Sequence, residues 1–589
     1  MSGLEELPRD RRWHQRLTGP PWQLRPGVSR RGRRLLLPLL LAAVLAAAEL
    51  AAPDSFLTDL LGTACIAGIM VLSWTVFCGP TREISFGHAF FIGSAGYLAG
   101  FLQARSSWNP WSALLAGVGC GLLLGAFVAL FTARHRGLYF SMVTMALQLT
   151  LYRALFLRSD LLGGEEGIVG VRSLAATRTG IYATVAAALV AACIVVDAFL
   201  CSRTGLLLGA TGENEQLARS LGVRVALLRL RGLTLAGALA GLGGGLYVLT
   251  QGQANAELAS EEISIRTLLL GTIGGLWSVP GALLSVFALQ GVQAALFRLT
   301  RQDALAYTGL LLGLVLLLPR GLLPLRPRWP RQRSCPRPTT LGPDHDAPGL
   351  MLSDLGVRFG GVKALDGVSL EVVRGESIGL IGPNGAGKTT LLSVIAGVRR
   401  AEIGEVRWGG RALGAMDEAQ RARLGIRKTH QQVVYFPQLT LDEHLAVAQA
   451  CWQGGEFEVD AAALQRLAAC DGAAGEAAPL ERLPPSRARL AEIAMALAAP
   501  PELLLLDEPF AALDREEVEA VCEAIQALQR RGVTMVIVEH RLRELFRLVE
   551  RVVVMDHGRI ISRQPAAQVL DDPVVREAYG LREREGNAG

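Results

Sequence analysis

The sequence predicts a polytopic α-helical membrane domain followed by an α/β domain with a phosphate-binding loop. Three observations predict this division. A chain of 589 residues is too long for a single hydrophobic core. Apolar runs such as residues 35–52 and 180–201 approach the roughly 20 residues that a helix needs to cross a bilayer. From Met351 onward charged residues become frequent and no comparable run recurs, so the second domain is expected outside the membrane.

The predicted domain boundaries follow these changes in composition. A basic segment over residues 1–34 precedes a transmembrane domain over residues 35–323. Residues 324–349 contain seven prolines, which predicts an extended linker. Residues 350–589 form the predicted α/β domain, because the strand-like segments SIGLIG, ELLLLD and VTMVIVEH alternate there with helical stretches.

Eight to ten spans are predicted, because several apolar segments are short or interrupted by glycine. Arginines gather in alternate connections, and the connections after the fifth and seventh segments are mixed or acidic. Positive residues favour the cytoplasmic side, so the N-terminus and the α/β domain are expected in the cytoplasm, at a bacterial-type cytoplasmic membrane. The segments are residues 35–52, 58–78, 86–104, 111–133, 138–157, 180–201, 230–250, 262–277, 281–297 and 305–319.

Composition argues against several other classes of protein. The nine cysteines are scattered and form no CxxC pair, which argues against a disulfide framework or a zinc site. The net charge of +6 is concentrated in residues 9–34 and 326–337, beside apolar segments. Basic runs in that position are typical of a membrane protein's cytoplasmic side, and no nucleic-acid-binding motif surrounds them. Membrane lipid is therefore the expected neighbour, and nucleic acid is not.

A glycine-rich loop follows the strand-like segment SIGLI of the α/β domain. The stretch GPNGAGKTT at residues 382–390 fits the pattern G-x-x-x-x-G-K-[ST] between a strand and a helix. Its glycines let backbone N–H groups wrap phosphates at a helix N-terminus, while Lys388 reaches the β- and γ-phosphates and the Thr389 hydroxyl binds Mg²⁺. The predicted ATP-binding residues of this loop are Gly382, Asn384, Gly385, Gly387, Lys388, Thr389 and Thr390.

A second acidic motif supplies the other half of such a site. The stretch LLLLDEP at residues 503–509 is a buried strand that ends in two carboxylates. Asp507 is placed to hold Mg²⁺ through water, and Glu508 is placed to polarise the attacking water. A DE pair after a strand is common by itself, but together with the glycine-rich loop it is specific.

With these motifs in place, residues 350–580 resemble the ATPase domain of ABC transporters. The resemblance implies that Phe359 stacks on adenine, and that Gln431 or its neighbour Gln432 senses the γ-phosphate and binds Mg²⁺. It also implies that His540 contacts the γ-phosphate, and that Asp514 is the D-loop aspartate. The cofactors implied are ATP and Mg²⁺. The implied catalytic residues are Glu508, His540 and Gln431, and the implied Mg²⁺ ligands are Thr389, Asp507 and Gln431.

Residues 60–322 resemble a second family. They carry, in the same order, motifs similar to those of permeases for branched-chain amino acids and of the related urea and amide permeases. The chain departs from the family pattern at Arg82 and Glu83, where a small residue and a glutamine are usual. The motifs are EISFGHAFFIGSAGYLAG, RGLYFSMVTMALQ, GGEEGIVG, GENEQLARSLGV, LAGALAGLGGGLY, GGLWSVPGA and LLPRGLL.

Two groups of membrane-domain residues are candidates for coupling and transport. Glu213, Asn214 and Glu215 are expected in or near a coupling helix that docks on an ATPase domain, although a solvated helix start would give the same pattern. Glu83 and His88 lie in or beside an apolar segment, where ionisable groups are costly. They are candidates for the solute path, and an interhelical hydrogen bond is the alternative.

The helix before LLLLDEP begins irregularly. The family signature approximates LSGGQ or LSYGQ, and its serine hydroxyl and glycine N–H complete the ATP site of the opposite subunit. Here the aligned residues are Leu483, Pro484, Pro485, Ser486 and Arg487, and proline has no N–H to donate. A homodimer would carry this weakened signature in both sites. We therefore expect a heteromeric complex with one competent and one degenerate site.

The resemblances imply a fused permease and ATPase that imports a small polar solute, such as a branched-chain or other neutral amino acid. A urea or short-amide importer is an alternative, as is an exporter, and a membrane-tethered regulatory ATPase is an alternative of another class. The implied partners are a second permease, a second ABC ATPase with an intact signature, and an extracytoplasmic solute-binding protein.

Overall fold

The computed structural model describes residues 30–51, 56–132, 137–157, 162–164, 166–299, 303–318, 321–323, 349–451, 481, 485–497 and 501–578. Most of the basic N-terminal segment and nearly all of the predicted linker lie outside these residues, as do Leu483 and Pro484 of the degenerate signature.

Ten helices of the described membrane domain correspond to the ten apolar segments. They are α1 (Arg30–Ala51), α2 (Phe56–Thr81), α3 (Ala89–Ser106), α4 (Pro110–Phe131), α5 (Leu138–Leu157), α6 (Arg178–Leu200), α9 (Val225–Gln251), α10 (Glu261–Gly274), α11 (Val279–Leu299) and α12 (Asp303–Leu317). Two short helices, α7 (Arg203–Glu213) and α8 (Glu215–Ser220), lie between α6 and α9. A two-stranded ribbon, β1 (Ile168–Val169) with β2 (Gln253–Ala254), and a 3₁₀ turn (Ala256–Ala259) complete this half.

Six helices of the described part are long and apolar enough to cross a membrane. They are Phe56–Thr81, Pro110–Phe131, Leu138–Leu157, Arg178–Leu200, Val225–Gln251 and the Val279–Leu296 part of α11. Pro38–Leu50 and Ala306–Leu317 are apolar but shorter. Six such helices are fewer than the eight to ten predicted spans, because α3 and α10 are not among them and the apolar parts of α1 and α12 are shorter than 18 residues.

The membrane domain packs around α9, which contacts α2, α3 and α4. Small residues permit this close approach, as is usual between helices in lipid. A Cβ added to Gly121 of α4 would lie 2.1 Å from the Gly237 carbonyl oxygen of α9, and a Cβ on Gly237 would lie 2.1 Å from the Gly121 oxygen. Any larger residue at either position would therefore push the two helices apart.

The second domain contains two sheets. The larger has six strands in the order β12-β11-β5-β10-β9-β8, parallel except for the edge strand β12. The smaller is antiparallel, in the order β4-β3-β6-β7. The strands are β3 (Leu350–Phe359), β4 (Val362–Val372), β5 (Ser377–Ile381), β6 (Ile403–Trp408), β7 (Arg411–Ala412), β8 (Ile426–Lys428), β9 (Leu503–Asp507), β10 (Thr534–Val538), β11 (Arg551–Asp556) and β12 (Arg559–Pro565).

Helices connect and cover these strands. The buried strands β5, β9 and β10 lie side by side, so the loops after their carboxyl ends meet at one edge of the sheet. The helices are α13 (Lys388–Ala396), α14 (Glu418–Arg423), α15 (Leu441–Cys451), α16 (Pro485–Leu497), α17 (Arg515–Gln529), α18 (Leu542–Leu545) and α19 (Pro573–Ala578), with a 3₁₀ turn at Val569–Asp571. The two domains meet where α8 packs against α14 and α7 packs against α15.

Candidate nucleotide site and interdomain junction

The loop between β5 and α13 requires glycine at two positions. Gly382 has φ +151°, and a Cβ there would lie 2.1 Å from the Met555 carbonyl oxygen. Gly387 has φ +98°, and a Cβ would lie 2.4 Å from the Ala364 oxygen. Any other residue would displace the backbone that precedes α13. The loop can therefore bring its N–H groups close to an anion. Asn384 and Gly385 are exposed in the loop, and Thr389 and Thr390 lie in the first turn of α13.

Lys388 is buried at the first position of α13 and folds back over the loop. Its Nζ donates hydrogen bonds to the carbonyl oxygens of Gly382, at 2.7 Å, and Pro383, at 3.0 Å. Burial lowers the pKa of this ammonium, and the nearby carboxylates of Glu508 and Asp507 oppose that shift. The cation is thus held beside the loop that would receive a phosphate.

Asp507 ends β9 as a fully buried carboxylate. Burial raises its pKa, while Lys428, whose Nζ lies 4.0 Å from Oδ2, lowers it, and the Thr389 hydroxyl lowers it least. Neither carboxylate oxygen accepts a hydrogen bond of normal geometry from the described residues. Buried oxygens with free lone pairs are the ligands that Mg²⁺ prefers. Asp507 therefore offers oxygens of the kind that Mg²⁺ prefers, and Thr389 and Gln431 remain the other predicted ligands.

Two of the predicted catalytic residues contact the carboxylate of the third, Glu508. The Gln431 Nε2 donates to Glu508 Oε1 at 3.1 Å, and His540 Nε2 lies 3.3 Å from the same oxygen. Glu508 has φ +51°, an uncommon conformation for a residue with a side chain. Its own N–H donates to the Val538 oxygen of the next strand at 2.9 Å, which helps to hold that conformation. Gln431 and Gln432 are both exposed, and Gln431 is the one with a described hydrogen bond to this carboxylate.

Two other predicted residues have contacts that the motif alone does not reveal. Phe359 at the end of β3 is 45 % exposed, and the guanidinium carbon of Arg399 lies 3.9 Å from the centre of its ring. Asp514 caps α17, where its carboxylate accepts from the Glu517 N–H at 2.8 Å. The Phe359 ring is thus already stacked with a cation, and Asp514 has a structural role as the cap of α17.

The predicted signature region opens α16. This helix begins at Pro485, where a missing N–H breaks no intrahelical hydrogen bond. Pro485, Ser486 and Arg487 form its first turn. The irregular sequence is therefore compatible with a regular helix start, although it removes a donor from the end that would face ATP.

Sequence reasoning missed a buried ion pair in this helix. Arg489 donates to Glu492 at 2.9 Å, and also to the carbonyl oxygens of His430, at 2.6 Å, and Gln431, at 2.7 Å. Glu492 in turn accepts from the His430 N–H at 2.7 Å. The Arg489–Glu492 pair thus holds the backbone of His430 and Gln431 against α16. Its signal in the sequence is an arginine and a glutamate three residues apart among apolar helix positions.

Glu213 connects the membrane domain to the ATPase-like domain. Its side chain is fully buried between Arg82, with Nη2 at 3.0 Å from Oε1, and the backbone N–H of Gln438, which donates to Oε2 at 2.8 Å. Asn214 caps α8, and Glu215 pairs with Arg219 one turn later. Glu213, one of the three predicted coupling residues, therefore forms a hydrogen bond across the junction.

Further contacts complete this junction. Arg423 of α14 donates to the Gly222 carbonyl oxygen at 2.8 Å. Arg203 donates to the Ala450 carbonyl oxygen of α15. Both bonds join an arginine side chain to backbone of the other domain, and no sequence pattern predicts which carbonyl such an arginine will reach.

The two candidate path residues are both satisfied by neighbouring helices. Glu83 forms a bidentate buried pair with Arg229 of α9, with distances of 2.5 and 2.8 Å, and both residues line a cavity near the junction. His88 is buried and lies 2.7 Å, through Nε2, from the Ser73 hydroxyl of α2. His88 lines neither of the two described cavities. An interhelical contact, the alternative to a role in the solute path, thus accounts for the position of His88. It accounts for Glu83 only in part, because Glu83 also lines a cavity.

Comparisons with known proteins match two successive parts of the chain. Residues 56–319 match the family model "Branched-chain amino acid transport system / permease component", and residues 365–511 match the model "ABC transporter". A ribose import ATP-binding protein of Rubrobacter xylanophilus is 33 % identical over 238 residues, which are 40 % of this chain and 46 % of the relative. A xylose import ATP-binding protein of Ralstonia nicotianae is 37 % identical over 231 residues, 38 % of this chain and 45 % of the relative.

The chain spans about half the length of the curated relatives it matches. Among solved structures, a nucleotide-free ATP-binding cassette from an ABC transporter is 27 % identical, with a TM-score of 0.34, and the match covers 39 % of this chain and 98 % of that one. The two family models lie in succession on one polypeptide, with apolar helices in the first and a phosphate-binding loop in the second. The chain therefore carries a part similar to permease components of branched-chain amino acid transport systems, followed by a part similar to ABC transporters.

Proposed function

We propose that this chain is a subunit of an ATP-driven importer, in which hydrolysis in the second domain moves a small polar solute through the first. The observation that carries the proposal is the position of Glu213. This permease residue accepts a hydrogen bond from Gln438, seven residues after the glutamine that contacts Glu508. A single short segment therefore touches the nucleotide site at one end and the permease at the other.

The roles proposed at the nucleotide site follow from the contacts there. Lys388 and the N–H groups of the glycine-rich loop would bind the phosphates, with adenine beside Phe359. Thr389, Asp507 and Gln431 would hold Mg²⁺, which when bound neutralises charge on the phosphate oxygens. Glu508 would orient and polarise the attacking water, and His540, 3.3 Å from it, would contact the γ-phosphate.

The proposed coupling runs through the backbone between Gln431 and Gln438. Arg489 and Glu492 fix the first end of this segment to α16, and Glu213 binds the other end. A shift of Gln431 toward a bound phosphate would therefore pull on Glu213 and, through its ion pair, on Arg82 at the end of α2. Coupling of this kind requires an element that both sites bias, and this segment meets that requirement.

The names of the matched proteins support an import function. They point to two classes of solute, amino acids and sugars. The permease model is described for branched-chain amino acids, whereas the ATPase relatives are named for ribose and xylose import. An ATPase domain does not itself enclose the solute, so these names carry less weight for specificity than the permease does. The proposal includes a second permease, a second ATPase with an intact signature and a solute-binding protein as partners, with the ATPase domain in the cytoplasm.

Uptake by the assembled transporter is expected to depend on Lys388. In vesicles that contain this chain, its partner subunits and the solute-binding protein, Lys388→Ala is expected to lower solute uptake by at least roughly 100-fold, because the phosphates lose their buried cation. Uptake of L-leucine, D-ribose and urea would be measured with ATP inside the vesicles. Lys363→Ala, which alters an exposed ion pair, is the matched control. Uptake that is unchanged in Lys388→Ala, or absent for every solute, would contradict the proposed function.

Loss of the junction contact is expected to uncouple hydrolysis from transport. Glu213→Ala removes the acceptor of the Gln438 N–H and leaves Arg82 without its partner, so solute moved per ATP hydrolysed is expected to fall by roughly 10-fold or more. ATP hydrolysis itself should stay within about three-fold of wild type, because Glu213 lies outside the nucleotide site. Uptake and phosphate release would be measured on the same vesicles. Asp59→Ala, at an exposed ion pair, is the control, and an unchanged transport ratio in Glu213→Ala would reject this coupling path.

A further inference from the structure

A buried arginine ties the far end of α13, the helix that follows the glycine-rich loop, to α14. Arg421 of α14 donates hydrogen bonds from Nη1 to the carbonyl oxygens of Val394, at 2.6 Å, and Ile395, at 2.9 Å, in the last turn of α13. The last carbonyl groups of a helix have no partner within it and carry partial negative charge, so a cation there satisfies and neutralises them. Burial lowers the pKa of this guanidinium to about 10, which leaves it charged near neutral pH.

The same guanidinium also holds the segment that leads into α14. Its Nη2 donates to the Leu413 carbonyl oxygen at 2.7 Å, and its Nε donates to the Met416 oxygen at 3.2 Å. Arg421 is only 2 % exposed, so each of these bonds is costly to break. The end of α13 and α14 should therefore move together. Because α13 is a nine-residue helix about 14 Å long that begins at Lys388, a displacement of its last turn is transmitted to the glycine-rich loop.

A different side of α14 contacts the membrane domain. Arg423 lies two residues after Arg421, and residues with that spacing do not share a helix face. Its Nη1 donates to the carbonyl oxygen of Gly222 at 2.8 Å, in the turn that follows α8. Gly222 has φ +94°, and a Cβ there would lie 3.2 Å from the Arg423 Cγ. The turn after α8 therefore fits closely against α14, and α14 lies between this turn and the end of α13.

We propose that Arg421 is a positioning residue through which the membrane domain sets the affinity of the glycine-rich loop for ATP. The inference rests on the proposed function, because it assigns ATP to that loop, and it adds a second coupling path. The path through Gln431–Gln438 and Glu213 reaches the residues around Glu508. The path through α14 reaches the phosphate-binding loop from the other end of α13. The element that both sites bias is α14 together with α13.

Loss of this arginine is expected to weaken ATP binding although Arg421 lies at the end of α13 opposite to the loop. Arg421→Met is expected to weaken binding of the fluorescent analogue mant-ATP by roughly 10-fold, because the loop is then held less rigidly. Binding would be measured on the full chain in lipid nanodiscs. Arg421→Lys, which keeps the charge but not the forked geometry, should recover part of the loss. Arg400→Met, at an exposed arginine near the same helix end, is the matched control. Wild-type affinity in Arg421→Met would overturn the proposal.

A substitution in the membrane domain separates positioning from a loss of folding. Gly222→Ala places a Cβ against α14 from the membrane-domain side, and it is expected to weaken mant-ATP binding by roughly three-fold or more. The same change should add little in the Arg421→Met background, because the connection is already broken there. Gly119→Ala, whose Cβ would have no neighbour within 4 Å, is the matched control.

Gly222→Ala leaves the arginine in place, so it decides the question even if Arg421→Met does not fold. Unchanged mant-ATP affinity in Gly222→Ala, or additive effects in the double variant, would overturn the proposal.

These measurements also distinguish this inference from the proposed function. Binding of mant-ATP that Lys388→Ala weakens, with wild-type affinity in the Arg421 and Gly222 variants, would reject the positioning role and keep the ATP site. Binding that depends on Arg421, in a transporter whose solute uptake is insensitive to Lys388→Ala, would keep the positioning role and reject ATP-driven import. Absence of mant-ATP binding by the wild-type chain would reject both.

Discussion

Replacing Glu508 with glutamine is expected to abolish nearly all ATP hydrolysis by the assembled transporter. The carboxylate oxygen that contacts Gln431 and His540 would become an amide group that cannot polarise water, while the size of the side chain is retained. A loss of roughly 100-fold or more is expected for removal of a general base. Phosphate release by the purified complex would be measured, with Glu516→Gln on the exposed first turn of α17 as the control.

The size of this effect also tests the predicted heteromeric complex, which has one competent and one degenerate ATP site. With proline at two signature positions, this chain would offer a weakened surface to ATP bound by its partner, whereas its own Glu508 would face the partner's intact signature. Nearly all turnover should then pass through Glu508. Residual activity of about half or more would show that the other site works equally well. Vigorous hydrolysis by this chain alone would also contradict a heteromeric arrangement.

Breaking the Glu83–Arg229 pair is expected to be the most destabilising change in the membrane domain. The side chains are 9 % and 2 % exposed and form two hydrogen bonds, so Arg229→Met would leave a buried carboxylate without its cation. The expected loss in free energy of unfolding is about 3–5 kcal/mol. It would be measured by denaturant unfolding of the full chain in detergent, with Arg178→Met as the exposed control.

The double variant Glu83→Met with Arg229→Met separates the interaction energy between the two charges from the contribution of each residue alone. Replacing both charges with apolar groups of similar length should recover most of the stability that Arg229→Met loses, because no unpaired charge remains. The difference between the double variant and the sum of the single variants gives the interaction energy. A value below about 0.5 kcal/mol would show that the two residues act independently.

Sequence patterns predicted the parts of this molecule that depend on local chemistry. The two-domain fold, the similarity to ABC transporters and the helices at the apolar segments follow from run length, periodicity and a motif with fixed spacing. The roles assigned to Lys388, Asp507, Glu508, Gln431 and His540 remain predictions, although the fold brings their side chains to one edge of the larger sheet. These residues follow or precede parallel strands, whose ends meet by geometry alone.

Contacts between distant segments could not be predicted in the same way. In the sequence, Arg229 resembles an ordinary cytoplasmic arginine. Only the fold shows that it lies on the side of α9 that faces Glu83. The unusual pair Arg82 and Glu83 is explained by partners 131 and 146 residues away. The side chain of Arg266 is likewise oriented by hydrogen bonds to Gln290 and Gln293 of another helix.

The contacts across the junction described above are few, and in this chain they join two parts of one polypeptide. When a permease and an ATPase are separate proteins, such an interface must resist dilution, so its strength is set by a dissociation constant. A covalent connection replaces that equilibrium with an effective local concentration that dilution does not lower. The bonds made by Arg423, Arg203 and Glu213 can then be individually weak, so the joint can open in each cycle without losing the subunit.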